Sequence, residues 1–171
     1  MSTYTLIQSQ TLASSAASVT FSAIPSTYTD LVLKVSARSD RADGNNNTIG
    51  QIQFNGTTAN YSDSLLYGNG SSVGTTSDSN FSYIPANYMN SNSSTSNTFS
   101  SMDVYIPSYT VSQNKPLSVF MAQEINGTTA WLNSTAGLWK NTAAITSLTF
   151  SFNGYNVLSG SSFYLYGISN A

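Results

Sequence analysis

Apolar side chains in this chain recur at every second position over short runs, a spacing that admits strands and excludes amphipathic helices. Leu31, Leu33, Val35 and Ala37 alternate with Val32, Lys34, Ser36 and Arg38. Val19, Phe21 and Ala23 alternate with Thr20 and Ser22, and Met102, Val104 and Ile106 with Ser101, Asp103 and Tyr105. Leu117, Val119 and Met121 keep the same period, as do Leu148, Phe150 and Phe152. The aromatic-rich segment Phe163 to Ile168 reads as a closing strand. A period of two sends one set of side chains to a core and the other set outward. No segment sustains a helical apolar stripe, and the background of Ser, Thr and Asn is poor helix material.

The punctuation between these runs is that of a β protein. Asn-Gly occurs at Asn55-Gly56, Asn69-Gly70, Asn126-Gly127 and Asn153-Gly154, and it accepts the positive φ angles that tight hairpins demand. The pentapeptide NGTTA appears at Asn55–Ala59 and again at Asn126–Ala130, each time after an apolar strand end. Pro25, Pro85, Pro107 and Pro116 fall where strands start or stop, positions that tolerate a missing N–H. The small polar stretches Gly68–Ser79, Asn90–Asn97 and Arg41–Asn47 read as loops. About eight to ten strands, with a turn signal every ~10 residues, predict an all-β fold. The expected architecture is one antiparallel β-sandwich domain over residues 1–171, jelly-roll-like, with a closed barrel as the alternative. No composition shift marks a second domain.

Charge then narrows the function. Lys and Arg number 5, Asp and Glu 7, with no His and no Cys. Charged residues make up 7% of the chain, against roughly 25% in an ordinary globular protein. A nucleophilic serine lacks its imidazole base, and soft metals lack their ligands. Lys34, Arg38, Arg41, Lys115 and Lys140 are too few to track a phosphate backbone, so no nucleic acid partner is expected. No apolar run reaches the ~20 residues of a membrane helix. The opening MSTYTLIQSQTL has no basic stretch ahead of an apolar core, so no secretory signal is expected. The N-x-[ST] triplets at Asn55, Asn126 and Asn133 then predict no glycosylation.

Four carboxylates could serve as an acid–base pair on glycosides: Asp63, Asp78, Asp103 and Glu124, the only glutamate. Asp103 and Glu124 lie out of phase with the apolar set of their own strands, which predicts solvent-facing groups rather than a tuned catalytic acid. The chain is therefore read as a non-enzyme that takes no cofactor. A depolymerase using Glu124 is the weakest alternative. The segment Asp40–Asn45 gathers oxygen ligands, but Ala42 and Gly44 break the EF-hand spacing, and a turn is favoured there over a calcium site. Tyr61, Tyr67, Tyr88, Trp131 and Trp139 lie near predicted loops or strand ends and are candidates for stacking on sugars or partner proteins. A surface with so little charge repels its own copies weakly, and a homo-oligomer such as a trimer fits it.

Several stretches resemble a family of small proteins encoded by tailed phages, especially marine and cyanobacterial ones. They are the opening TYTLIQSQTLASSAASVTFSAIPSTYTDLVLKVSARSD, then YSDSLLYGNGSS at Tyr61–Ser72, NTFSSMDVYIPSY at Asn97–Tyr109, AGLWKNTAAITSLTF at Ala136–Phe150, and the ending SSFYLYGIS. The resemblance implies a β-rich virion protein, a capsid decoration or head-fibre protein foremost. A tail-associated module that recognises host surface carbohydrate is the alternative. It supplies no catalytic residues. A virion role would make the capsid shell or tail its partner, with attachment through a strand edge or a terminal segment. Met1–Leu6 and Ser162–Ile168, with Tyr4, Leu6, Phe163, Tyr164 and Tyr166, are the candidate assembly segments, free to pair with each other or with a neighbour's sheet.

Overall fold

The computed structural model describes residues 3–127 and 130–169. Twelve strands follow one another: β1 (Thr3–Thr11), β2 (Ser18–Phe21), β3 (Asp30–Ala37), β4 (Asn47–Phe54), β5 (Tyr61–Gly68) and β6 (Val73–Phe81). The second half adds β7 (Ile84–Asn90), β8 (Ser100–Ile106), β9 (Lys115–Gln123), β10 (Trp131–Trp139), β11 (Leu148–Phe152) and β12 (Ser162–Ser169). Two sheets form, in the orders β1-β12-β3-β8-β9-β10-β5-β6 and β2-β11-β4-β7, and every pairing is antiparallel.

The pairings β1·β12, β2·β11, β3·β8 and β4·β7 describe a two-stranded ribbon folded over on itself. Its halves meet through β12·β3 and β11·β4. This is the jelly roll, eight strands in two sheets of four. The remaining strands, β5–β6 and β9–β10, all add to one edge of the first sheet, beyond β8. One sheet is thus twice as wide as the other and overhangs it.

The alternating residues fill the space between the sheets. Leu31, Leu33, Val35, Met102, Val104, Ile106, Val119 and Met121 from the wide sheet meet Val19, Phe21, Ile52, Phe54, Phe150 and Phe152 from the narrow one. Ala23 departs from its expected phase. It takes φ 52° just beyond β2 and is exposed, so the chain turns there and Ile24 enters the core instead.

The expected loop Gly68–Ser79 is mostly strand. β6 begins at Val73, and its pairing to β5 rests on backbone bonds, so it needs no apolar face and shows none. Of the four Asn-Gly pairs, Asn69-Gly70 closes the β5–β6 hairpin and Asn126-Gly127 lies between β9 and β10. Asn55-Gly56 takes φ 52° and 66° but carries the chain from one sheet to the other. Thr128 and Thr129 of the second NGTTA, and Met1 and Ser2 of the first assembly segment, lie outside the described residues.

Candidate functional site

The five aromatics singled out in the sequence separate into two clusters at opposite ends of the β5–β10 pair. Tyr61 lies opposite Trp139 in the register, and both are fully buried. Their rings stack at 6.3 Å between centroids, and Phe54 sits 5.6 Å from Trp139. The Tyr61 hydroxyl accepts the Phe54 N–H at 2.8 Å and meets the Thr57 hydroxyl at 2.9 Å, pinning the Asn55-Gly56 turn. Tyr61 and Trp139 therefore hold the overhang onto the jelly roll and offer nothing to a ligand. Their loop-adjacent positions misled because the turn folds back over them.

Tyr67, Tyr88 and Trp131 meet at the other end and are half-buried. Trp131 stacks on Tyr88 at 3.9 Å and 5°, and Tyr67 lies 5.5 Å from Tyr88 and 5.8 Å from Trp131. Tyr88 reaches this place through a β-bulge in β7, where the register slips opposite Thr48–Gly50, and through φ 62°. An aromatic residue in left-handed backbone is unfavourable by about 1 kcal/mol. Such strain is characteristic of sites under constraint. Burial first, and then Tyr67 beside it, pushes the Tyr88 phenol up. Gly74 lies opposite Tyr67 because a Cβ there would fall 2.4 Å from the Tyr67 hydroxyl.

On the outward face of the overhang, four apolar side chains stand in solvent: Leu66 (55% exposed), Val73 (82%), Phe120 (51%) and Leu132 (51%). The register makes them contiguous. Phe120, Ser134 and Leu66 form one cross-strand row, and Ala122, Leu132, Gly68 and Val73 form the next. Together they line a shallow groove. The nearest cross-strand charge, Asp103 opposite Phe120, is neutralised by Lys34 at 2.6 Å. Sequence reasoning passed over this patch. Its signal lay in the phase of β9: with Leu117, Val119 and Met121 inward, Phe120 had to point outward.

The terminal segments pair with each other within one chain, Tyr4 opposite Ile168 and Leu6 opposite Tyr166. Tyr4 and Leu6 are exposed, Tyr164 less so, and Tyr4 meets Tyr166 edge-on at 6.4 Å. Phe163 is the exception. It takes the inward phase, packs 5.3 Å from Phe150 and is fully buried, so it is a core residue and unavailable for assembly.

Glu124, Asp43 and Asp40 are committed. Glu124 Oε1 accepts the Asn126 N–H at 2.7 Å. In the Asp40–Asn45 loop, Arg41 binds both oxygens of Asp43, and Asp40 accepts two bonds from Asn156. Among the described residues, no three His, Cys, Asp or Glu side chains converge. No helix among them is long and apolar enough to cross a membrane.

These features define a jelly-roll sandwich with one widened sheet, an apolar patch on the face of the extension and an aromatic cluster at its rim. Comparison with protein-family models, with curated proteins and with solved structures finds no match in any of the three.

Proposed function

We propose that this chain is a structural protein of a tailed-phage particle, displayed on the virion surface as a capsid decoration or head-fibre protein. The observation that carries the reading is the contiguous apolar patch of Leu66, Val73, Phe120 and Leu132 on the outward face of the overhang. Large exposed apolar patches mark interaction surfaces. This one is a shallow groove on a sheet face, suited to a protein partner rather than to a small substrate held in a deep cleft. The phage resemblance of the sequence supports the same reading. The partners are the capsid shell and further copies of the chain, and no enzymatic step is assigned.

The strained bulge at Tyr88 favours a second reading, a tail-associated module binding host carbohydrate through Tyr67, Tyr88 and Trp131. Quantitative mass spectrometry of purified particles, scaled to the major capsid protein, separates the two. A copy number comparable to the shell subunit is the expected result. A small fixed number matching tail components would favour the second reading, and absence from the particle would overturn both. In the decoration case, Phe120→Asp combined with Leu132→Asp should leave the fold intact and prevent incorporation.

A further inference from the structure

Asp63 and Asp78 form a like-charge pair that no side chain among the described residues neutralises. They lie directly opposite each other across β5 and β6. Like charges in that position destabilise an antiparallel pair. Asp63 is only 8% exposed, and its Oδ1 is buried without a hydrogen-bond donor. On its other flank the β10 partner is Gly137, which has no side chain to offer. Lys140, one residue past β10, gives its ammonium to the carbonyl of Ser79 at 2.8 Å rather than to either carboxylate. Asp78 accepts the Asn80 N–H at 2.9 Å. The ion pairs of the described residues, Lys34–Asp103 and Arg41–Asp43, lie elsewhere.

A buried carboxylate oxygen with no donor, facing a second carboxylate, lacks a positive partner. The donors available are hard oxygens only, which suits cations of the calcium class and not the soft metals. β6 is the edge of its sheet and is exposed along its length, so water can complete the coordination sphere. We infer that Asp63 and Asp78 bind a divalent cation of the Ca²⁺ class, which bridges β5 to β6. The contrast with Asp40–Asn45 is instructive: there Arg41 and Asn156 already occupy the carboxylates, and here, among the described residues, only the Asn80 N–H reaches Asp78 and no donor reaches Asp63 Oδ1. With two carboxylates the affinity belongs to the weak range, Kd on the order of 1 mM. The inference stands apart from the virion reading, since it concerns the hairpin whatever the particle.

The test uses the full chain after chelator treatment, at neutral pH, with CaCl₂ as the probe. Thermal melts of the wild type should rise by about 3–5 °C at ~10 mM Ca²⁺, the shift expected of a site of this strength. Asp63→Asn and Asp78→Asn should each abolish the shift, and Asp43→Asn should retain it. Calorimetric titration of the wild type gives a second readout that depends on no variant. An absence of both heat and Tm shift in the wild type would overturn the site. So would a shift of equal size in Asp63→Asn and Asp78→Asn, which would place the ion elsewhere.

Discussion

Lys115 carries its charge in the interior with no carboxylate beside it. The ammonium donates to the carbonyls of Val111 at 2.7 Å, Gln113 at 2.5 Å and Thr142 at 3.3 Å, and the residue is fully buried. Arg38 does the same on a larger scale, its two Nη atoms serving the carbonyls of Asn92, Ser94, Thr95 and Thr98. Desolvation lowers both pKa values. These cations organise loops that lack regular structure, by supplying donors that the backbone there cannot find for itself. Lys115→Met would keep the packed stem and leave the carbonyls unpaired, at a cost of about 3 kcal/mol. Lys34→Met removes a surface ion pair whose side chains are both 48% exposed, and should cost less than ~1 kcal/mol. Urea denaturation of the two variants measures the contrast, and equal losses would show that the buried ammonium is not structural.

The β5–β6 hairpin ends in an exposed edge strand and carries a like-charge pair across its register. Burial first, and Asp78 second, raise the Asp63 carboxyl from its ordinary value to about 6. With the folded pKa above the unfolded one, the folded chain holds a proton that the unfolded chain has released between about pH 4 and pH 6. Stability from this group is therefore full below about pH 4 and falls as pH rises through 6, by about 3 kcal/mol in cation-free buffer. Asp43, held low by Arg41, titrates below this window and leaves it clear. Asp63→Asn should flatten the profile between pH 4.5 and 7.5, measured by urea midpoints, roughly as that linkage requires. A wild-type slope that survives the substitution would assign it to another group. The hairpin also shows where reading from sequence ends. β3, β8, β9 and β11 announce themselves because their inward residues must be apolar. β6 has two wet faces and no such demand, so VGTTSDSNF is indistinguishable from a loop. Asp63 and Asp78 were visible as carboxylates. Their opposition was not, because it depends on the four-residue turn Asn69–Ser72 that sets the register. Likewise Tyr67, Tyr88 and Trp131 could be named as aromatics, whereas their meeting requires a bulge that no periodicity encodes.

At the scale of the whole molecule, the charges other than the Asp63–Asp78 pair are mostly absorbed locally, and this determines how the protein can associate. Lys34 pairs with Asp103, Arg41 with Asp43, and Arg38, Lys115 and Lys140 serve backbone carbonyls. Asp30 accepts bonds from the Tyr105 hydroxyl and the Ser108 N–H. What faces a partner is hydroxyl, amide, the exposed Tyr4, Leu6, Tyr105 and Tyr164, and the apolar patch of the overhang. Both outer edges of the wide sheet are nearly free of charge as well: β1 has none, and β6 has Asp78 alone. Natural edge strands usually carry charges that discourage pairing with other chains. Contacts made by such a surface have almost no ionic component for salt to screen, since screening acts on charges. Apolar burial is instead strengthened by sulfate. On the proposed virion reading, attachment to the particle should thus persist from low salt to ~1 M NaCl and tighten in ammonium sulfate. Washing purified particles across that range and quantifying the retained chain tests this directly. Release at high NaCl would mean that a partner's charges reach Asp78 or another carboxylate, and the apolar patch would lose its place as the seat of attachment.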